Sequence, residues 1–354
     1  MLERAGTWFL ESGIQETNGG VARYYQSDSR RNAPVSTEIT GYAISTLTYL
    51  SDVTRSPEYI RAADRAAGYL AGKAWSNESF TFPFEPVSNG DAGYAYFFDC
   101  GIIARGLLAA WRATGNQTYF ERAQDCGLSM AFDFMADEAM HPILRLPEKQ
   151  PEPYTAQWSR SPGCYQLKSA LAWKELAEIS GQSELARAYE RMLAFSLDTH
   201  ESFLPGDDDE CRVMDRLHAY AYFLEGLLPA AGKPECAAAL ADGIERLAFY
   251  LRAIERRFVR SDVYAQLLRV RLFADRLGIL KLDEAAAEHE ATSLAAFQAG
   301  DGDARTAGSF WFGRKDGEFM PFANPVSTAF AVQALAMWRE RRDGCLETPV
   351  LALI

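Results

Sequence analysis

Apolar positions along the chain define two alternating kinds of helix. Segments near 57–72, 117–135, 183–200, 233–258 and 282–299 place apolar residues at i, i+3 and i+4 with charges between them, as in Tyr119-Phe120-Glu121-Arg122. These are surface helices with one buried stripe. Segments near 36–54, 98–114, 161–180, 215–231, 261–277 and 325–342 are instead rich in Gly, Ala, Ser and Leu on most sides. Such helices suit an interior, where small side chains let backbones approach closely. Residues 2–14 form one more outer helix, stopped by Asn18-Gly19-Gly20. No stretch sustains strand alternation; only 80–84 and 310–319 have the character of short hairpins.

The connections carry the topology. Each apolar helix meets its charged partner after a short turn, at 52–56, Gly115-Asn116, Gly181-Gln182 and Gly232-Lys233. Short turns force antiparallel neighbours, and ordinary connections run about 2–6 residues. The returns at 15–35, 73–97, 136–160, 201–214 and 300–324 are long, with only 259–260 short. Long loops on alternate turns put the variable material, and the N-termini of the six apolar helices, on one face. The expectation is an all-α, (α/α)6 toroid of six helical hairpins, as one domain over 1–354.

A net charge of −12 argues against nucleic acid, whose phosphates need a dense basic surface. Six singly spaced cysteines suggest reduced thiols rather than a disulfide framework or a zinc site. No metal or other cofactor is expected. No signal-peptide pattern opens the chain and no apolar run reaches the ~20 residues of a membrane span, so a cytoplasmic protein is the expectation.

Trp8-Phe9-Leu10, then Asn18-Gly19-Gly20-Val21-Ala22-Arg23-Tyr24-Tyr25, then Ser36-Thr37-Glu38-Ile39-Thr40-Gly41-Tyr42 resembles the opening of α/α-toroid proteins found among polysaccharide-handling genes. Asn324-Pro325-Val326-Ser327-Thr328-Ala329-Phe330 is similar to their closing inner helix. The likeness, to the six-hairpin glycosidase and uronyl-epimerase architecture, spans nearly the whole chain without matching a specific motif. It implies a carbohydrate ligand. The same architecture serves terpene cyclases and protein prenyltransferases, so fold alone does not assign chemistry. A cyclase needs an Asp-x-Asp-Asp-Thr-Ala motif, which Gly206-Asp207-Asp208-Asp209-Glu210 departs from. The prenyltransferase zinc set has only Asp99, Cys100 and His218 to draw on, without its surrounding motif.

Candidate chemistry lies where the inner-helix starts and long loops converge. Glycoside hydrolysis needs two carboxylates flanking the bond; Asp99 with Asp215 is the first choice, with Glu38 or Asp262 as replacements. Acids at helix starts also serve as caps and dipole partners. In Asp215-Arg216-Leu217-His218, the i, i+3 spacing puts Asp215 beside His218, where it would raise the imidazole's proton affinity. A lyase or epimerase acting on a uronate would use His218 and Tyr264 for proton transfer, with Arg160 or Arg216 on the substrate carboxylate. Tyr25, Trp158, Tyr220, Trp311, Arg314 and Glu318 are the further candidates for holding a sugar, whose apolar face stacks on aromatics. Three functions stand: a carbohydrate-active enzyme, a non-catalytic glycan- or protein-binding toroid of a polysaccharide biosynthesis system, and an isoprenoid cyclase-like protein.

Overall fold

The computed structural model describes residues 1–85, 93–137 and 139–354. Its elements in the first half are α1 (Leu2–Glu11), β1 (Tyr25–Gln26), β2 (Arg31–Asn32), α2 (Thr37–Thr54), α3 (Pro57–Tyr69), β3 (Tyr94–Tyr96), α4 (Phe97–Thr114), α5 (Gln117–Phe132), β4 (Ile143–Arg145), β5 (Gln150–Pro151), α6 (Leu167–Ser180) and α7 (Ser183–Thr199). There follow α8 (Glu210–Leu227), α9 (Pro234–Ile254), β6 (Phe258–Arg260), α10 (Ser261–Arg276), α11 (Glu284–Ala295), β7 (Gly313–Lys315), β8 (Glu318–Phe319), β9 (Phe322–Ala323) and α12 (Pro325–Arg342). Contacts divide the chain into two compact units: Met1–Trp8, Tyr24–Arg31 and Leu197–Ile354 form one, Phe9–Arg23 and Asn32–Ser196 the other.

In the unit holding residues 32–196, α2 packs on α4 and α4 on α6, as the small-residue pattern predicts. Gly41 and Gly106 face each other, and a Cβ on Gly101 would strike the Ser169 backbone. The helices therefore approach more closely than any larger side chain allows. α3 and α5 cover α2 and α4. Gly115 and Gly181 end their helices at φ of 74° and 71°, the left-handed conformation glycine adopts without a Cβ penalty. Trp173 seals this core, donating its indole N–H to the Gly127 carbonyl at 2.8 Å with Phe97 edge-on at 5.3 Å. β3, β4 and β5 form an antiparallel sheet over the start of α4, Tyr96 pairing with Ile143.

In the other unit, α10 packs between α8 and α12, with α9 and α11 outside. β6 pairs with β7 and β7 with β8, so the hairpin expected at 310–319 centres on 313–319. The stretch expected as a hairpin at 80–84 makes only a bridge between Ser76 and Thr81.

Two helix starts differ from expectation. α8 begins at Glu210, where the Asp209 carboxylate accepts from the Arg212 N–H at 3.1 Å. Asp215 thus lies in the second turn and caps nothing. Ser161-Pro162 likewise does not open α6. Gly163 remains extended at φ −162° and ψ 163°, a 3-10 turn follows at Cys164–Gln166, and Ser161 donates its hydroxyl to the Thr155 carbonyl. Ser36 and Asn324 are caps as expected, accepting from Ile39 and Ser327 N–H groups.

Candidate active site

Two polar clusters stand out, one in each unit. The first grows from the starts of α2 and α4. Thr37 donates its hydroxyl to the Pro83 carbonyl at 2.8 Å, tying the segment before Glu85 to the helix start. Glu38 follows in the first turn and is partly buried; burial raises its pKa to about 7, against the pull of Arg23. Asp99, third residue of α4, is only 6% exposed. Burial holds its carboxyl well above the usual carboxylate range, and the nearby Glu38 charge adds to the effect, while Arg23 and the residue's own backbone N–H oppose it. Among the described residues, its Oδ2 has no hydrogen-bond partner. Buried polar atoms are nearly always satisfied, so an orphaned carboxyl oxygen asks what it is for.

Arg23 is paired with Glu85 and lies over the Phe84 ring, 4.8 Å from its centroid. Phe84 in turn packs against Tyr96 at 5.1 Å. Burial, with Asp99's charge, raises the Tyr96 pKa, which Arg160 tempers. Arg160 is held by Glu152 at 3.2 Å, and Trp158 stands edge-on to Tyr165 at 5.0 Å. Two protonatable acids thus share aromatic walls and two guanidinium groups. Such a pair can give one proton and accept another.

The second cluster is organised by Arg260, at the cap position of α10. Its Nε and Nη2 donate to Asp262 Oδ1 and Oδ2 at 3.0 and 2.6 Å, and its Nη1 donates to Asp215 Oδ1 at 2.8 Å. The Phe312 ring lies 4.6 Å from the guanidinium carbon. Burial by itself would raise the Asp262 pKa, but Arg260, His218 and hydrogen bonds hold it below its usual value. His218 sits 3.6 Å from Asp262 and donates from Nδ1 to Gln266 Oε1 at 2.8 Å. That bond leaves Nε2 as the lone-pair nitrogen. Burial, then Arg260's charge, lowers the His218 pKa to about 4. Asp215 does favour the imidazolium, as the i, i+3 spacing suggests, but it is outweighed. The imidazole is neutral at physiological pH. Gln266 is fully buried, and its Nε2 is unpartnered among the described residues.

The sequence matches no protein-family model and no curated protein. Solved structures do match. A sugar epimerase from a ruminal bacterium is similar with a TM-score of 0.71 and 10% identity, over 94% of this chain and 96% of that one. The cellobiose 2-epimerase of Spirochaeta thermophila DSM 6192 gives 0.69 and 13%, over 96% and 95%. A GH76 α-mannanase of Bacteroides thetaiotaomicron gives 0.61 and 13%, over 96% and 97%. The chain has the α/α-toroid fold. At this identity the likeness establishes fold and not reaction.

Within the toroid fold, the predicted residues separate cleanly. Glu38, Asp99, Trp158 and Arg160 gather in one cluster; Asp215, His218 and Asp262 gather in the other. Tyr264 lies elsewhere, donating its hydroxyl to Glu255 at 2.6 Å beneath α11. Tyr220 is fully buried against His200, whose Nδ1 is 3.1 Å from its hydroxyl. Arg216 reaches back to the Phe203 carbonyl at 2.6 Å and lies over that ring. Tyr25 is buried under Arg305, and Arg314 leans toward Phe297 at 6.0 Å. Trp311 presents its carbonyl to Ser261, and Glu318 is exposed on β8. Sequence reasoning did not single out Arg23, Arg260 or Gln266 as site residues. Gln266 was within reach, since it stands four after Asp262 on the same helical face. Among the described residues, no three His, Cys, Asp or Glu side chains gather to hold a metal ion, and no helix is long and apolar enough to cross a membrane.

Proposed function

We propose that this chain is a carbohydrate-active enzyme whose Glu38–Asp99 pair cleaves a glycosidic bond. The observation that carries the reading is the pair itself: two interacting carboxyls, Asp99 buried and Glu38 partly so, both reluctant to ionise, with one Asp99 oxygen left without a donor among the described residues. Near neutral pH the pair retains a proton that a leaving glycosidic oxygen can take as its C–O bond breaks. The ionised partner then removes a proton from the water that attacks the anomeric carbon, and the pair regains the proton it gave. Phe84, Tyr96 and Trp158 offer surfaces for a sugar's apolar face. Arg23 and Arg160 are placed to meet a hydroxyl or a uronate carboxylate.

A second reading rests on His218. A neutral imidazole with its proton fixed at Nδ1 suits proton abstraction beside a sugar carbonyl, the step of epimerisation or isomerisation. The toroid fold hosts both outcomes, since its similar structures include epimerases and a mannanase. A cytoplasmic setting belongs to the same proposal, supported by six cysteines none of which forms a disulfide among the described residues, four of them buried.

The test is product analysis of neutral and uronate-containing oligosaccharides incubated with the protein in deuterated water. New reducing ends, lost in Asp99→Asn, support hydrolysis. Deuterium at a sugar carbon, lost in His218→Asn, supports the second reading. Binding without any product leaves a glycan-binding module, and absence of binding removes carbohydrate from consideration.

A further inference from the structure

A separate cavity of about 910 Å³ opens where residues 135–137 beyond α5, the second half of α7 and the 152–162 loop meet. Its size falls within the ~300–1,000 Å³ of small-molecule sites. We propose that it is a second saccharide-binding site, holding a neutral segment of a longer glycan whose reacting bond lies at Glu38 and Asp99. This inference rests on the carbohydrate reading and specifies its substrate as an oligosaccharide.

The lining has the chemistry of sugar recognition. Tyr154 is 48% exposed and Met135 47%, and Phe132, nearby on the last turn of α5, is 61% exposed. Large apolar side chains left open around a concavity mark an interaction site more often than a single surface residue does. The Tyr154 hydroxyl and His141 Nδ1 share a 2.7 Å hydrogen bond, which fixes the phenol ring and leaves the other imidazole nitrogen for a ligand hydroxyl. Asp137 adds an exposed carboxylate that accepts from hydroxyls and disfavours anions. Arg191 donates from Nη2 to the Ala136 and Asp137 carbonyls, which fixes its guanidinium in the wall beside Asp137. Asp137 and Arg191 leave the lining with no net charge, so a phosphate or uronate gains nothing there over a neutral ligand. A neutral sugar fits: an apolar ring face for Tyr154, hydroxyls for Asp137 and His141.

The 152–162 loop joins this cavity to the carboxyl pair. Glu152 and Arg160 pair with each other, and Arg160's charge acts on Tyr96 beside Asp99. Tyr154 and Pro162, from the same loop, face the cavity. One loop thus contributes a wall to each site, and a glycan of several residues would bridge it.

The experiment is calorimetric titration and turnover with maltose, cellobiose and mannobiose and the corresponding hexasaccharides. For the linkage that binds, wild type should hold the hexasaccharide at least tenfold more tightly than the disaccharide. Tyr154→Ala should erase that advantage while leaving disaccharide binding and turnover within twofold. Met135→Glu, at an exposed position where folding is not at stake, should do the same. An undiminished hexasaccharide advantage in both variants, or none in wild type, overturns the second site and leaves the carbohydrate reading intact. Failure of every one of these saccharides to bind overturns the second site, and, where the uronate-containing oligosaccharides do not bind either, the carbohydrate reading with it.

Discussion

In one unit, Asp99 keeps a carboxyl oxygen without a donor among the described residues, and Glu38 holds its proton to about pH 7. In the other, Asp262 receives two hydrogen bonds from Arg260, which also reaches Asp215. Both clusters bury carboxylates at helix starts within reach of an arginine. They differ in where the arginine's hydrogen bonds go. Arg260 spends its fork on the acids themselves, so their charge is compensated. Arg23 is paired with Glu85 instead, acting on Glu38 and Asp99 through its charge alone. A compensated acid holds structure together, whereas an uncompensated one is the kind that the proposed reading assigns to a ligand.

The largest expected effect follows on activity. Asp99→Asn and Glu38→Gln should each lower kcat about a thousandfold on whichever oligosaccharide is turned over, within the usual range for a general acid or base. Neither should lower the melting temperature, because each removes a buried acid that lacks full compensation. Steady-state kinetics beside thermal unfolding checks both. Turnover within threefold of wild type for Asp99→Asn would end the contrast between the clusters.

Arg260→Ala should behave in the opposite way. It leaves Asp262, 1% exposed, without its partner, and breaking a buried pair typically costs about 3–5 kcal/mol. Urea unfolding measures the loss. Arg260→Ala should destabilise far more than Asp99→Asn, and equal losses would show that the two acids are held alike.

The helices and their pairing were legible because they depend on local signals. Small-residue segments mark helices that touch through Gly41, Gly101 and Gly106, and Gly115 and Gly181 mark the short turns. Half of the site was legible for the same reason: Glu38, Asp99 and Asp262 stand in first turns, and His218 follows Asp215 by three. Arg23 and Arg260 escaped because the groups they meet, such as Glu85 and Asp215, come from other elements with no fixed spacing. The tyrosines failed through helical geometry. Tyr220 and Tyr264 stand two residues after His218 and Asp262, about 200° around the helix and thus on the far side. Tyr222 and Gln266, four after them, are the residues that touch His218, at 4.5 and 2.8 Å.

The clusters should also bend stability with pH in opposite senses. Glu38's folded pKa of about 7 lies above its ordinary 4.5, so the stability it contributes is full below about pH 4.5 and lost as pH rises through 7. His218's folded value of about 4 lies below 6.5, so its contribution is full above about pH 6.5 and lost as pH falls through 4. Each shift corresponds to about 3 kcal/mol at most. Glu38→Gln should therefore gain more at pH 8 than at pH 5, and His218→Asn more at pH 4 than at pH 7. Unfolding free energies across that range would measure both slopes. Slopes of the same sign would mean that burial does not govern one of the two groups.

The smallest effect separates a cap from a charge partner on the same helix. Asp209 satisfies the Arg212 N–H at the start of α8, and replacing such a cap with Ala typically costs about 1 kcal/mol. Asp215, in the second turn, has a side chain 46% exposed and accepts no hydrogen bond from the helix end; its pair with Arg260 is partly open to water. Exposed pairs contribute about 0–1 kcal/mol and weaken with salt. Asp209→Ala should then destabilise by the larger amount and keep most of that loss at high salt, because the hydrogen bond to the Arg212 N–H outlasts screening of the charge, while the loss in Asp215→Ala shrinks further as salt is added. Denaturant midpoints at two ionic strengths decide it. If Asp215→Ala proves both larger and independent of salt, Arg260 depends on two acids rather than one, and the compensated cluster is the more tightly closed for it.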